Sequence, residues 1–363
     1  MRRFLILLCL LVLALTGTVA AGDVVARQAE VLDLQGLERA AGEAAGEIAL
    51  KPEIDLNGGL QNLLDAGRGQ IFGITRKAVR SGMLLLVIVL LCGLADGMNE
   101  KSGQGIEVIT IVGALAVTAV AVADVGTLIG LGRRALDDME LFSKVLLPTM
   151  TAAAAAGGAP GGAAARQLAT MLFSDVLLTL INRLLLPLVY AYIAASAAYA
   201  ALGNEGLKRI GHMLKWLVSS ILAAVLLVFV SYLTVSGVIA GTADAVTIKA
   251  AKFTVSSVVP VVGGILSDAA ETVLAGAGIL RNAIGVFGML AVLGICLAPF
   301  LQLGIHYLAY KLTAALTATV SAGRIGALID SIGGAFGLVL GMTGASAILL
   351  LISMVSAISV VTM

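Results

Sequence analysis

Seven polar or charged residues stand within or against otherwise apolar stretches of this chain: Asp124, Asp175, Arg183, Asp268, Glu271, Gln302 and His306. In hydrocarbon such groups can relay protons, bind an ion or solute, or hold segments together by hydrogen bonds. Asp175 and Arg183 share one segment, where eight residues of helix separate them by about 12 Å. Each therefore needs a partner elsewhere, or water. Gln302 and His306 lie one helical turn apart, just after Pro299, whose ring leaves a carbonyl of the preceding turn without its donor. Ser267, Asp268, Glu271 and Thr272 form a polar face at helical spacing behind Pro260 and Gly263-Gly264. One reading is a polar path or a partner-binding seam. The plainer reading is a set of polar groups satisfied between packed helices. A coupled proton pathway would need more carboxylates than these.

Catalytic signatures are missing. The chain has no phosphate-cradling Gly-x-x-x-x-Gly-Lys segment, no metalloprotease His-Glu pair and no Cys-His arrangement. His212 and His306 stand in different segments. Cys9, Cys92 and Cys296 all lie in apolar segments without metal-type spacing, so neither a metal site nor a disulfide framework is expected. The residues point away from an enzyme, and no cofactor is expected. Net charge is +1, which gives no footing for nucleic acid.

The elements that must position these groups are long and apolar. Five stretches carry no Asp, Glu, Lys or Arg: 145–165, 184–204, 216–243, 282–310 and 331–363. Crossing a bilayer takes about 20 apolar residues as helix. Hydrophobic residues make up 60% of the chain and charged ones 12%, about half the charged share of a soluble domain. The fold expected is all-α: a polytopic helical membrane protein in contact with the lipid bilayer. With 4% aromatics and 43 glycines, helix contacts should be made by small residues at close range. Gly333, Gly337 and Gly341 form such a ridge. It suits packing within the chain or, as the sharper alternative, an oligomer contact.

Residues 1–21 read as a signal peptide: Arg2 and Arg3, an apolar run from Phe4 to Leu15, then Thr18 and Ala20 at cleavage-site spacing. An uncleaved first anchor is the alternative. Residues 22–80 form a polar, partly helical leader outside the cytoplasm, in which Val31, Leu34, Leu37, Ala41, Ala44 and Ile48 recur at helical spacing. Lys51-Pro52 ends that helix, and Asn57-Gly58-Gly59 reads as a turn. The leader either docks on the membrane surface or a partner, or stays solvated. The first two transmembrane spans occupy 81–132, and an amphipathic interfacial helix follows at 133–147.

The remainder reads as a two-fold internal repeat, 148–243 and 252–363. Pro148 and Pro260 are 112 residues apart, as are Pro187 and Pro299, in a chain with only six prolines. Arg209-Ile210-Gly211 recurs as Arg324-Ile325-Gly326. Each copy opens with a glycine-rich segment expected to be re-entrant or interfacial, because Asp268 and Glu271 are costly against lipid. A proline-containing span, a short basic connection and a last span follow. Lys208, Arg209 and Lys215, with Lys311 and Arg324, would place both connections in the cytoplasm. Two-fold repeats of this kind are common in transporters and channels.

The block Pro260-Val-Val-Gly-Gly264, Ser267-Asp-Ala269, Thr272-Val273, followed by Arg281-Asn-Ala-Ile-Gly285, resembles the stage III sporulation protein AE family of endospore-forming bacteria. Signal peptide, polar leader and order of spans share in the likeness, which covers nearly the whole mature chain. The resemblance implies a membrane component of a multi-subunit conduit between mother cell and forespore. It implies partners that include a separate ATPase and a ring-forming subunit, and a role in late forespore gene expression. It carries over no catalytic residues. A self-contained secondary transporter or permease for a small solute is the competing expectation.

Overall fold

The computed structural model describes residues 34–41, 56–98, 105–156, 172–173, 175–258, 263–320 and 323–359, with only the backbone given across 233–278. Among these residues there are helices and tight turns, and no strand. The helices are α1 (Leu34–Ala41), α2 (Leu56–Met98), α3 (Gly105–Ala156), α4 (Asp175–Leu202), α5 (Glu205–Val258), α6 (Gly263–Val320) and α7 (Arg324–Ser359). Six of them, α2 to α7, are long and apolar enough to cross a membrane. This is a multi-pass helical membrane protein.

α6 is the hub. It packs on α7, α2 and α3, while α7 also meets α3 and α4, and α5 leans chiefly on α4. Burial follows that order: 56% of the apolar window is buried in α6 and in α7, but 11% in α5. The core is built from Phe142, Phe287, Phe336, Leu136 and Met139, with the Cys296 thiol against the Met139 sulfur at 3.4 Å. The short α1 docks on α3 through Leu37 and Ala41, both fully or nearly fully buried.

Three segments differ from expectation. Asn57, Gly58 and Gly59 are not a turn but the first residues of α2, which starts inside the leader. Gly59 serves close approach instead, since a Cβ there would collide with Leu290 of α6. Residues 133–147 do not form a separate interfacial helix. They continue α3 without a break, because nothing between Leu131 and Arg133 interrupts the backbone ladder and Leu136 and Met139 are buried in the bundle. The segment behind Pro260 is likewise no separate hairpin: from Gly263 the backbone runs as one helix through Pro299 to Val320, 58 residues or about 87 Å. Residues 259–262 lie outside the described part. So do 1–33, and with them the signal peptide. The helices do not show the two-fold repeat. Pro187 follows a π-helical turn, whereas Pro299 stands in an unbroken α-helix.

Proline chemistry explains that turn. Pro187 has no N–H for the carbonyl of Arg183. The backbone over Ile181–Leu185 widens, and the Leu186 N–H reaches Ile181 O, five residues back. At its other end α4 stops at Gly203, whose φ of 69° is left-handed and whose N–H bonds Tyr199 O at 2.8 Å. The Arg324 guanidinium stands against the same glycine, where a Cβ would be. Asn204 caps α5 through Oδ1 to the Gly206 N–H at 2.8 Å.

Contacts fix the register. Gly59 faces Leu290, Gly67 faces Leu297 and Leu301, and Gly82 faces Thr313, so α2 and α6 run parallel. Gly113 meets both Cys92 and Ile325. The α2–α3, α4–α5 and α6–α7 connections therefore share one end of the bundle, as the two basic connections were expected to. Ser81, where the charge-free run of α2 begins, is level with Tyr310, where that of α6 ends. The apolar half of α2 thus extends toward and past the α6–α7 turn, and its charged half lies beside the apolar middle of α6.

Candidate functional site

At that level three helices meet in a polar knot. Asp124 of α3 accepts hydrogen bonds at one carboxylate oxygen from Ser81 of α2 and from the Tyr310 hydroxyl of α6, the latter at 2.7 Å. The two hydroxyls are 3.5 Å apart. Tyr310 is fully buried, and its ring meets Phe336 of α7 edge-on at 5.1 Å. Gly333 makes room for it, since a Cβ there would sit 3.0 Å from Tyr310 Cβ. Two hydroxyl donors satisfy a carboxylate oxygen that stands among apolar helices. The arrangement ties helices together, and among the described residues no second carboxylate joins it. Asp124 was legible as an interruption of an apolar run. Ser81 and Tyr310 were not, because a hydroxyl in a helix announces no partner.

The other sequence candidates scatter. Asp175 and Arg183 are both exposed on α4 and do not meet. Asn182, which lies between them and carried no sequence signal, does reach α3: its Nδ2 donates to Asp137 at 2.9 Å and, at 3.5 Å, to Glu140. Its amide oxygen is buried with no partner among the described residues. Glu140 in turn holds Lys144 at 2.6 Å, and Arg133 stands 3.9 Å from Asp137. The buried His306 ring bonds not the Gln302 side chain but its main-chain oxygen, Nδ1 to O at 2.8 Å. Asp268 and Glu271 are helical in backbone, and their side chains lie outside the described part.

The glycine ridge of α7 faces α6 of the same chain at two of its three positions. Gly333 faces Tyr310, and a Cβ on Gly337 would approach the Tyr307 ring to 2.9 Å. Gly341 is exposed, and its nearest neighbour is Leu222 of α5, 3.9 Å from a Cβ position. Close backbone approach through small residues is the usual means of packing helices in lipid. Among the described residues no group of three metal-ligating side chains occurs.

Comparison with known proteins agrees with the resemblance in the Pro260–Gly285 block. A curated relative from Bacillus subtilis (strain 168), named stage III sporulation protein AE, is 29% identical over 155 residues, 42% of this chain. The matched stretch spans 38% of that relative's length. No solved structure matches. The family model for stage III sporulation protein AE matches residues 51–361, from the end of the leader to the last helix of the bundle, and the chain belongs to that family.

Proposed function

We propose that this chain is a polytopic membrane subunit of a sporulation-specific, secretion-like complex that links mother cell and forespore and supports late forespore gene expression. The observation that carries this reading is the family match across residues 51–361. Its likeness to Bacillus subtilis stage III sporulation protein AE supports it. In this reading the protein lies in the mother-cell membrane around the forespore, with its N-terminal region outside the cytoplasm. Energy comes from a separate ATPase partner, and a ring-forming subunit meets the exocytoplasmic parts. The structural role suits a bundle whose polar groups bond one another. A clean deletion in the native host tests the proposal: normal growth with arrest after engulfment is expected. Normal sporulation would sink it.

The competing permease reading draws on one observation, the Asp124 carboxylate held among three helices. A permease would move solute when reconstituted alone in vesicles. A complex subunit would be inert there.

A further inference from the structure

At the end of the bundle where the connections gather, α4, α5 and α7 line a partly open cavity of about 140 Å³ that carries several polar groups. α4 contributes Tyr192, Ser196 and Tyr199, at helical spacing along one face. α5 contributes Lys208, His212 and Lys215 at the same spacing, and α7 adds Asp330 and Ser331. We propose that this cavity binds a phosphate group, carried by an anionic phospholipid headgroup or free in solution. The site goes beyond the sporulation role and does not depend on it.

The charges decide the sign of the ligand. Asp330, the one carboxylate in the lining, is neutralised by Lys311 of α6 at 2.6 Å. Lys208 is engaged by Glu205 at 3.3 Å, with both side chains largely exposed. Lys215 is half-buried and has no carboxylate within ion-pair distance among the described residues. Its ammonium converges with the Tyr192 hydroxyl over Gly334, where a Cβ would stand 3.6 Å from the one and 3.2 Å from the other. Glycine leaves that floor open. An anion seated between this ammonium and the Tyr192 hydroxyl would give both a charge-assisted partner.

Shape and donor type select phosphate. The Ser196 and Tyr199 hydroxyls are already committed, to Tyr192 O at 2.9 Å and to Glu205 at 3.3 Å. The groups that converge from three helices are the Lys215 ammonium, a point charge, and the Tyr192 and Ser331 hydroxyls. That suits a tetrahedral anion, whereas a planar carboxylate is best held by an arginine fork, and the lining holds no arginine. The volume is well below the several hundred Å³ of a pocket for a drug-sized ligand, and a phosphate-sized group fits it. Basic pockets between membrane helices bind phospholipid headgroups in this way. The flank favours lipid as the source: Met213 and Trp216, beside His212 and Lys215, are 56% and 64% exposed and offer an apolar wall for an acyl chain.

The test uses the full chain in nanodiscs of phosphatidylcholine, with and without phosphatidylglycerol, and counts retained lipid by native mass spectrometry. Retained phosphatidylglycerol is expected, reduced about fivefold in Lys215→Gln. Lys208→Gln, on an exposed residue that leaves folding intact, is expected to reduce it in the same direction. Arg209→Gln, exposed and outside the cavity, is the control and keeps it. A second arm titrates inorganic phosphate into the phosphatidylcholine-only sample. Phosphate binding weakened by the same two variants, without retained phosphatidylglycerol, assigns the site to free phosphate. Lipid retention equal in all variants, together with no variant-sensitive phosphate binding, overturns the proposal.

Discussion

The two proline-bearing helical pairs, α4–α5 and α6–α7, share an order of sequence features and differ in almost every physical respect. In the outer pair Pro187 is exposed and widens the backbone into a π turn. The inner pair buries Pro299 in an α-helix that keeps its course. Aromatic rings lock the outer pair near Phe173, which meets Phe229 and Tyr232 at 5.5 and 5.4 Å. Glycines lock the inner pair, by admitting Tyr307 and Tyr310 against α7. The lesson is that a matched proline does not dictate a matched local structure. Surroundings differ with it: the buried Pro299 leaves the α-helical pattern unbroken, and the exposed Pro187 follows a π turn.

The largest effect should separate the two pairs by their glycines. Gly333→Leu forces Tyr310 away from α7 and should cost about 3 kcal/mol. Gly211→Leu in the outer pair starts from a Cβ 3.6 Å from Ser196, an ordinary contact, and should cost less than that. Unfolding midpoints in detergent check both, and equal losses would erase the distinction between hub and periphery.

Next in size is Asp124. Asp124→Leu leaves the Ser81 and Tyr310 hydroxyls without their acceptor, a loss of about 2 kcal/mol. Asp124→Asn keeps an acceptor oxygen and should lose less than half of that. The same unfolding measurement ranks them, and a leucine variant as stable as the parent would show that the knot does not hold the inner helices.

Pro187→Ala and Pro299→Ala sharpen the comparison by hydrogen exchange. Restoring the amide at 187 should convert the π turn to α-helix and raise protection around Arg183. At 299 the helix is already continuous, so a smaller change is expected. The smallest effect belongs to Lys311→Gln. Its partner Asp330 is half exposed, so stability should fall by less than about 1 kcal/mol. A drop several times larger would move this bridge from the rim into the core of the inner pair.

Much of the architecture could be read from the chain itself. Four of the five charge-free runs fall in α4 to α7, since hydrocarbon tolerates few charges, whereas the run from 145 marks no span of its own. Prolines and the Gly333 ridge marked where backbones bend or approach. Helix ends were less legible. The Arg133–Lys144 stretch has the pattern of an interfacial helix, and periodicity alone cannot say whether a preceding helix has stopped. Asn57-Gly58-Gly59 has turn chemistry, yet its glycines are used for contact with Leu290. Partners were the least legible of all. Asp124 stood out as a charge, but Ser81 and Tyr310 lie 43 and 186 residues away in sequence, and only the register of three helices brings them together. The cavity beside Lys215 shares that reason, since its lining comes from three helices that no local pattern connects.

The level contact between Ser81 and Tyr310 has a consequence for the membrane rather than for the protein. A hydrocarbon slab about 30 Å thick, lying square to the bundle, cannot cover both the apolar half of α2 and the apolar run of α6, because one begins where the other ends. The lipid must meet this molecule at two heights, by tilt of the whole bundle or by a step in the leaflet around it. Either accommodation carries a modest cost for each ångström of mismatch, so the thickness of the surrounding bilayer bears on how the bundle sits.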